Sequence, residues 1–203
     1  MTPAPTLPPA YLITPEPPAG VSFDGYLAQL ERRLEGGVRL VQFRAKTLDP
    51  AGYAELAGQV RACCLRYQAR LLLNAPAAAL DTLDADGVHL TSTRLMACTQ
   101  RPLPAGKLLS VACHDARQVR HANHIGADSL TLSPVLPTAT HPDATPLGWA
   151  RFQALASLSR IPVYAMGGMS MAHLEQARAA GAHGIAAIRA LWNPAEPDRP
   201  MPG

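Results

Sequence analysis

The sequence predicts a single (β/α)₈ barrel, and three observations lead to this fold class. The chain has 203 residues, close to the roughly 200 residues of the smallest eight-unit barrels. Short apolar runs alternate with amphipathic stretches at roughly 20–25 residues per unit, which is typical of βαβ units. Eight such runs can be found, and eight parallel strands favour a closed barrel over an open doubly wound sheet.

The eight apolar runs are short and mostly continuous, as expected for strands that are covered on both faces. In chain order, the candidate strands are Tyr11–Thr14, Leu40–Arg44, Leu71–Asn74, Val88–Leu90, Leu108–Cys113, Ser129–Ser133, Val163–Met166 and Ile185–Ile188.

Amphipathic stretches between these runs give the helices, with a further short helix after the last strand. The candidates are Asp24–Glu35, Pro50–Tyr67, Ala77–Leu83, Asp115–Ile125, Trp149–Leu158 and Met171–Ala180. Four side chains are expected to cap helix N-termini, namely Asp24, Asp49, Asp115 and Ser170.

Both ends of the chain are rich in proline. Residues 1–9 and residues 194–203 each hold four prolines, and proline resists helix and sheet interiors. We therefore expect a tail over residues 1–10, a barrel over residues 11–192 and a second tail over residues 193–203.

Composition and charge exclude several classes of function. The formal net charge is only +3, and the chain has no dense basic stripe, so we expect neither nucleic acid nor a membrane as partner. The four cysteines lack metal-binding spacing and are interpreted as reduced thiols of a cytoplasmic protein. We expect no bound metal and no other cofactor, and formation of a homodimer is left open.

The second candidate strand carries polar residues on one face. Alternation places Gln42, Arg44 and Lys46 together, and two of these side chains are cations that would be costly to bury unpaired. Since the carboxyl ends of barrel strands carry the site, an anionic ligand there is one interpretation. A structural salt bridge is the other.

A second anion site is predicted after the last two strands. Paired glycines, Gly167 and Gly168, let backbone amides approach a phosphate, and Arg189 adds a charge after the final strand. A tight turn that requires positive φ would also explain the glycines. The long loop from Ser133 to Pro142 supplies further hydroxyl groups, although a plain surface loop remains possible.

Three single polar residues are the remaining candidates for the site. Asn74 ends the third strand and either contacts a ligand or caps a turn. His89 lies inside the fourth strand, as a core histidine or as a site residue. His114 follows the fifth strand.

Together these segments resemble the thiamine phosphate synthase/TenI family over residues 11–192. The matching motifs are Gln42-x-Arg44-x-Lys46, Asn74, Gly87-Val88-His89-Leu90, His114, Pro134-x-x-Pro137-Thr138-x-Thr140, Gly167-Gly168 and the final small-residue strand. The family synthase joins a pyrimidine diphosphate to a thiazole phosphate and releases diphosphate. The resemblance implies that Gln42, Arg44, Lys46 and Asn74 face the diphosphate. It also implies that Thr138, Thr140, Gly168, Ile188 and Arg189 face a thiazole phosphate.

Departures from the family pattern affect the chemistry that the resemblance implies. Ala75 and Arg94 stand where the synthase has acidic Mg²⁺ ligands, so diphosphate departure would lose its metal assistance. The family pattern also has a serine at Ala112, a lysine at His141 and a serine at Arg189. Pro134 stands at the catalytic histidine of the TenI branch, which leaves His141 or His114 as candidate acid/base groups.

Three hypotheses follow. The first is an enzyme or a degenerate enzyme of thiamine thiazole metabolism that binds a thiazole phosphate or thiamine phosphate without a metal. The second is a non-catalytic binding module that partners a Nudix hydrolase, because the loop after the sixth strand resembles a branch often fused to that domain. The third is a Mg²⁺-dependent synthase with an altered metal site.

Overall fold

The computed structural model describes residues 7–18, 22–138 and 145–193, and its eight parallel strands form a closed barrel in chain order. The predicted (β/α)₈ fold is confirmed. The strands are β1 (Ala10–Ile13), β2 (Leu40–Phe43), β3 (Arg70–Leu73), β4 (Gly87–Leu90), β5 (Leu108–Cys113), β6 (Ser129–Leu132), β7 (Val163–Met166) and β8 (Gly184–Ala187). The α-helices are α1 (Asp24–Glu35), α2 (Pro50–Arg66), α3 (Ser92–Ala97), α4 (Ala116–His124), α5 (Gly148–Ala156), α6 (Leu174–Ala179) and α7 (Arg189–Trp192).

The sequence prediction of local structure was correct for the strands and less complete for the helices. Helix α3 was missed, because its six residues bury only Leu95 and so show no apolar repeat. The stretch Ala77–Asp81 is a 3₁₀ helix. The predicted caps Asp49 and Asp115 accept backbone N–H bonds of 2.7 and 2.8 Å, but Asp24 was wrongly assigned, since it is the first residue inside α1.

Two apolar regions hold the barrel together. The larger lies between strands and helices, where Phe43, Leu56 and Phe152 are fully buried. The smaller fills the N-terminal part of the barrel interior and contains Leu7, Tyr11, Ile13, Leu40, Leu72, Leu108, Tyr164 and Ala186. Toward the carboxyl ends of the strands, buried polar side chains such as Gln42 and His89 join this apolar region.

Residues 7–9 close the N-terminal end of the barrel. Leu7 is buried, the Tyr164 hydroxyl donates to the Pro8 carbonyl at 2.6 Å, and the Ile185 N–H donates to the Pro9 carbonyl at 2.9 Å. Within the described ranges, no helix is long and apolar enough to cross a membrane.

Candidate functional site

A cavity of about 1060 Å³ opens at the carboxyl ends of the strands, where this fold carries its sites. Its lining includes every predicted site residue that the structure describes: Gln42, Arg44, Lys46, Asn74, His89, His114, Thr138, Gly167, Gly168, Ile188 and Arg189. Thr140 and His141 lie outside the described residues. Side chains from nearly the whole length of the chain, from β2 to the end of β8, therefore share one cavity.

The cavity is cationic. Arg44, Lys46, Arg151 and Arg189 line it, and no aspartate or glutamate belongs to the described part of its lining. With these charges around a concave surface, the site favours anions. Phosphate and carboxylate groups are the anions that arginine and lysine bind best.

Arg44 is partly neutralised by Glu16, which follows β1. Its Nη1 atom donates to Glu16 Oε1 at 2.7 Å, and Glu16 Oε2 accepts the backbone N–H groups of Lys46 and Thr47 at 2.8 and 3.3 Å. The salt bridge considered for Arg44 is thus present, although Arg44 also lines the cavity. No salt bridge involves Lys46, Arg151 or Arg189 within the ranges that the structure describes.

Arg151 was not predicted from the sequence. It lies in the first turn of α5, is exposed, and reaches the cavity from outside the strand ends. A cation in the first turn of a helix is unfavourable to the helix dipole. That effect is too weak at an exposed position to identify Arg151 as a site residue from the sequence.

Replacing Arg151 with alanine is expected to weaken binding of inorganic phosphate about 2- to 5-fold at low salt, because an exposed charge that attracts the phosphate without hydrogen bonding to it contributes at most about 1 kcal/mol. Calorimetric titration of both proteins at low and high ionic strength measures this effect. The difference between them should shrink as salt screens the charge. A difference that persists at high salt would contradict a purely electrostatic role.

The paired glycines are required by close packing of the loop after β6. Gly167 and Gly168 have φ of +95° and +68°, and a Cβ atom on Gly168 would lie 2.8 Å from both Leu136 Cβ and the Pro137 carbonyl oxygen. Backbone bonds from Val135 and Leu136 to the carbonyls of Met166 and Gly167 join the two segments. The two glycines are therefore needed for packing of this loop, whether or not their backbone also contacts a ligand.

A chain of hydrogen bonds runs from the cavity wall into the barrel interior. Asn74 Nδ2 donates to Gln42 Oε1 at 2.9 Å, and Gln42 Nε2 donates to the Tyr11 hydroxyl at 3.1 Å. His89 Nδ1 lies 3.4 Å from the Tyr11 hydroxyl and 3.0 Å from the Ser110 hydroxyl. These five residues come from four strands and the end of β3, so the barrel itself sets their geometry.

Burial lowers the pKa of His89 to about 3, because the interior disfavours the charged imidazolium. The side chain is 4% exposed and is neutral at physiological pH. Burial also raises the pKa of the Tyr11 hydroxyl, which therefore keeps its proton.

Acidification is expected to destabilise the protein through His89. The unfolded imidazole takes up a proton near pH 6.5 and the folded one only near pH 3, so the unfolded state binds more protons between these values and stability falls as pH falls. From about pH 7.5 to 5.5, this group should cost about 1.4 kcal/mol. Urea unfolding of the parent and of His89→Gln measures the effect as a difference in the slope of stability against pH. Parallel pH profiles would contradict it.

His114 lies at the rim of the cavity and is exposed. Its Nδ1 atom is 2.8 Å from the Ser133 carbonyl oxygen, which can only accept a hydrogen bond. Nδ1 therefore carries a proton, and in the neutral ring Nε2 has the lone pair that a general base requires.

The described residues do not fit a Mg²⁺ site. Mg²⁺ is usually held by one or two carboxylates together with water and phosphate, whereas the described cavity lining offers hydroxyls, amides and cations. Ala75 is buried with only a methyl group, and Arg94 places its charge near Tyr53, away from the cavity. Among the described residues, no group of three acidic, histidine or cysteine side chains is placed to hold a metal.

Fold and site together define a (β/α)₈ barrel with a cationic ligand cavity at the carboxyl ends of its strands. A sequence model of the thiamine monophosphate synthase family matches residues 10–191. The chain belongs to this family, as the resemblance predicted.

Individual relatives agree with this assignment. A thiamine-phosphate synthase of Thermus thermophilus is 34% identical over 189 residues, covering 93% of this chain and 90% of the relative. A putative thiamine-phosphate synthase from Geobacter sulfurreducens is 39% identical over 190 residues, covering 93% and 87%. The solved thiamine phosphate pyrophosphorylase of Pyrococcus furiosus superposes with a TM-score of 0.73 at 23% identity, covering 92% of this chain and 88% of that structure. At 23% identity, the similarity to this solved structure supports the fold alone.

Proposed function

We propose that this protein binds a phosphorylated thiazole or a thiamine-related phosphate in the cationic cavity, without a bound metal. The observation that carries the proposal is the charge of the cavity: four cationic side chains line it, and its described lining contains no carboxylate. A phosphate is the anionic group that such a lining stabilises best.

The ligand would lie with its phosphate near β7 and β8 and its ring toward the barrel interior. Arg189 and the backbone of Gly167 and Gly168 line the cavity there, and the absence of Cβ atoms lets an anion approach the glycine backbone closely. Apolar side chains of Ile13, Met166 and Ala186 line the lower part of the cavity, where a flat heterocycle would be removed from water.

His114 is the described residue best placed to move a proton in this site. The bond from Nδ1 to the Ser133 carbonyl leaves its Nε2 atom as the free acceptor, and its exposed position at the rim lets the ring exchange protons with solvent. We assign it the acid/base role, and His141 stays a second candidate on sequence grounds.

Calorimetric titration with thiazole phosphate, thiamine phosphate and the pyrimidine diphosphate tests the proposal. Each ligand is measured with Mg²⁺ and with EDTA. We expect a thiazole or thiamine phosphate to bind equally well in both buffers. Binding that requires Mg²⁺ would contradict the metal-free site, and failure of all three ligands would contradict the link to thiamine.

A Mg²⁺-dependent synthase is the second candidate, because relatives named as thiamine-phosphate synthases cover almost the whole chain. It requires metal-dependent release of diphosphate when both substrates are supplied. A non-catalytic module that serves a Nudix hydrolase would instead bind tightly and show no turnover with or without metal.

A further inference from the structure

The buried hydrogen-bond chain below the cavity determines the position of the His89 ring and also which of its two nitrogens carries the proton. We infer that Tyr11 and Ser110 hold His89 as the Nε2–H tautomer, so that this ring donates a hydrogen bond from the cavity floor to an acceptor atom of the ligand. The second half of this inference rests on the proposed function, whereas the tautomer is a property of the protein alone.

The directions of the bonds follow from the side-chain amides. Asn74 Nδ2 donates to Gln42 Oε1, which leaves Gln42 Nε2 to donate to the Tyr11 oxygen at 3.1 Å. Tyr11 accepts this bond, so its own proton must go elsewhere. Its acceptor is His89 Nδ1, which lies 3.4 Å away.

Counting protons distinguishes the two tautomers. If Nδ1 carried the proton, it would donate to one hydroxyl, and neither hydroxyl could donate to it. Neither the Tyr11 proton nor the Ser110 proton would then have an acceptor among the described residues. A buried donor without an acceptor costs free energy.

With a bare Nδ1, every proton in the cluster has an acceptor. Ser110 donates to Nδ1 across 3.0 Å, and Tyr11 donates to the same nitrogen across 3.4 Å. The neutral ring then carries its one proton on Nε2. Burial keeps the ring neutral, as the low pKa of His89 indicates.

The Nε2–H group faces the cavity. Within the described part of the chain, it forms no hydrogen bond, yet it is not among the polar atoms that are fully shut off from solvent. The open space next to His89 is the cavity that it lines. Its natural partner is therefore an sp² nitrogen or an oxygen at the buried end of the ligand.

Thr131 also lines the cavity, but it offers the ligand no polar atom. Its Oγ1 atom is shut off from solvent and has no partner in the described residues. The Nε2–H group of His89, which can only donate, is therefore the polar group of the cavity floor that selects an acceptor atom of the ligand.

Long-range ¹H–¹⁵N NMR of the full chain, labelled with ¹⁵N-histidine and free of ligand, tests the tautomer. His89→Gln identifies the signals of His89 among the seven histidines. We expect a protonated Nε2 and a bare Nδ1, and the opposite pattern would overturn the inference. In Tyr11→Phe/Ser110→Ala the preference should be lost; its persistence would show that these hydroxyls do not set it. The parent spectrum decides the tautomer even if this variant does not fold.

Titration with two probes tests the donor role. His89→Leu should weaken binding of thiazole phosphate about 3- to 10-fold, as for one hydrogen bond, and leave inorganic phosphate unchanged. Equal affinities of parent and variant for thiazole phosphate would overturn the donor role. Failure of the parent to bind thiazole phosphate would instead contradict the proposed function, while the NMR result would stand.

Discussion

Replacing Gly168 with alanine is expected to lower the free energy of unfolding by about 2–5 kcal/mol. The backbone of Gly168 has φ of +68°, and a left-handed conformation costs an L-residue about 1–2 kcal/mol. The new Cβ would also lie 2.8 Å from Leu136 Cβ and from the Pro137 oxygen. Relieving such a clash in a packed region costs about 1–3 kcal/mol.

Thermal unfolding measures this loss, which corresponds to about 4–20 °C in Tm for a chain of this size. Gly106→Ala is the matched control. Gly106 has φ of +88°, but nothing lies within 4 Å of the point that its Cβ would occupy, so it shows the backbone cost alone. Equal losses for the two variants would mean that the loop after β6 yields easily, and the packing argument would be wrong.

Replacing Arg189 with alanine is expected to weaken binding of thiazole phosphate roughly 10- to 100-fold with little change in stability. A hydrogen bond to a charged group contributes about 1.5–3 kcal/mol, and Arg189 is exposed at the cavity, where a phosphate would take both its charge and its donors. No salt bridge in the described ranges would be lost.

Arg120→Ala provides the control for Arg189. It removes the same charge from the exposed side of α4, away from the cavity. Calorimetry on the parent and the two variants separates a local contact from a change in net charge. If Arg189→Ala binds as tightly as Arg120→Ala, the phosphate does not lie beside β8.

The strands could be predicted because each one is specified by a short run of neighbouring residues. A strand covered on both faces needs a continuous apolar run, and runs such as Leu108–Cys113 and Val163–Met166 appear in the sequence with their observed bounds. Helix α3 escaped prediction because it packs through Leu95 and depends on its neighbours more than on its own pattern.

The location of the site residues at the strand ends could be predicted from the sequence. The hydrogen bonds between them could not. The fold rule brought Gln42, Asn74 and His89 to one cavity, but no spacing shows that Asn74 donates to Gln42 from the neighbouring strand. The pairing of Glu16 with Arg44 joins residues that are 28 positions apart. Such partners are chosen by tertiary geometry, which a single sequence does not contain.

The junction between β1 and β8 has a consequence for how the molecule is made. Leu12 pairs with Ala187, so the ring of strands stays open during synthesis until its last member has left the ribosome. Contacts between such distant segments slow folding, and the incomplete sheet exposes unpaired edges to other chains meanwhile. Arg189 follows this last strand directly. A ligand that requires Arg189 can therefore bind only after β8 has been synthesised and the barrel has closed.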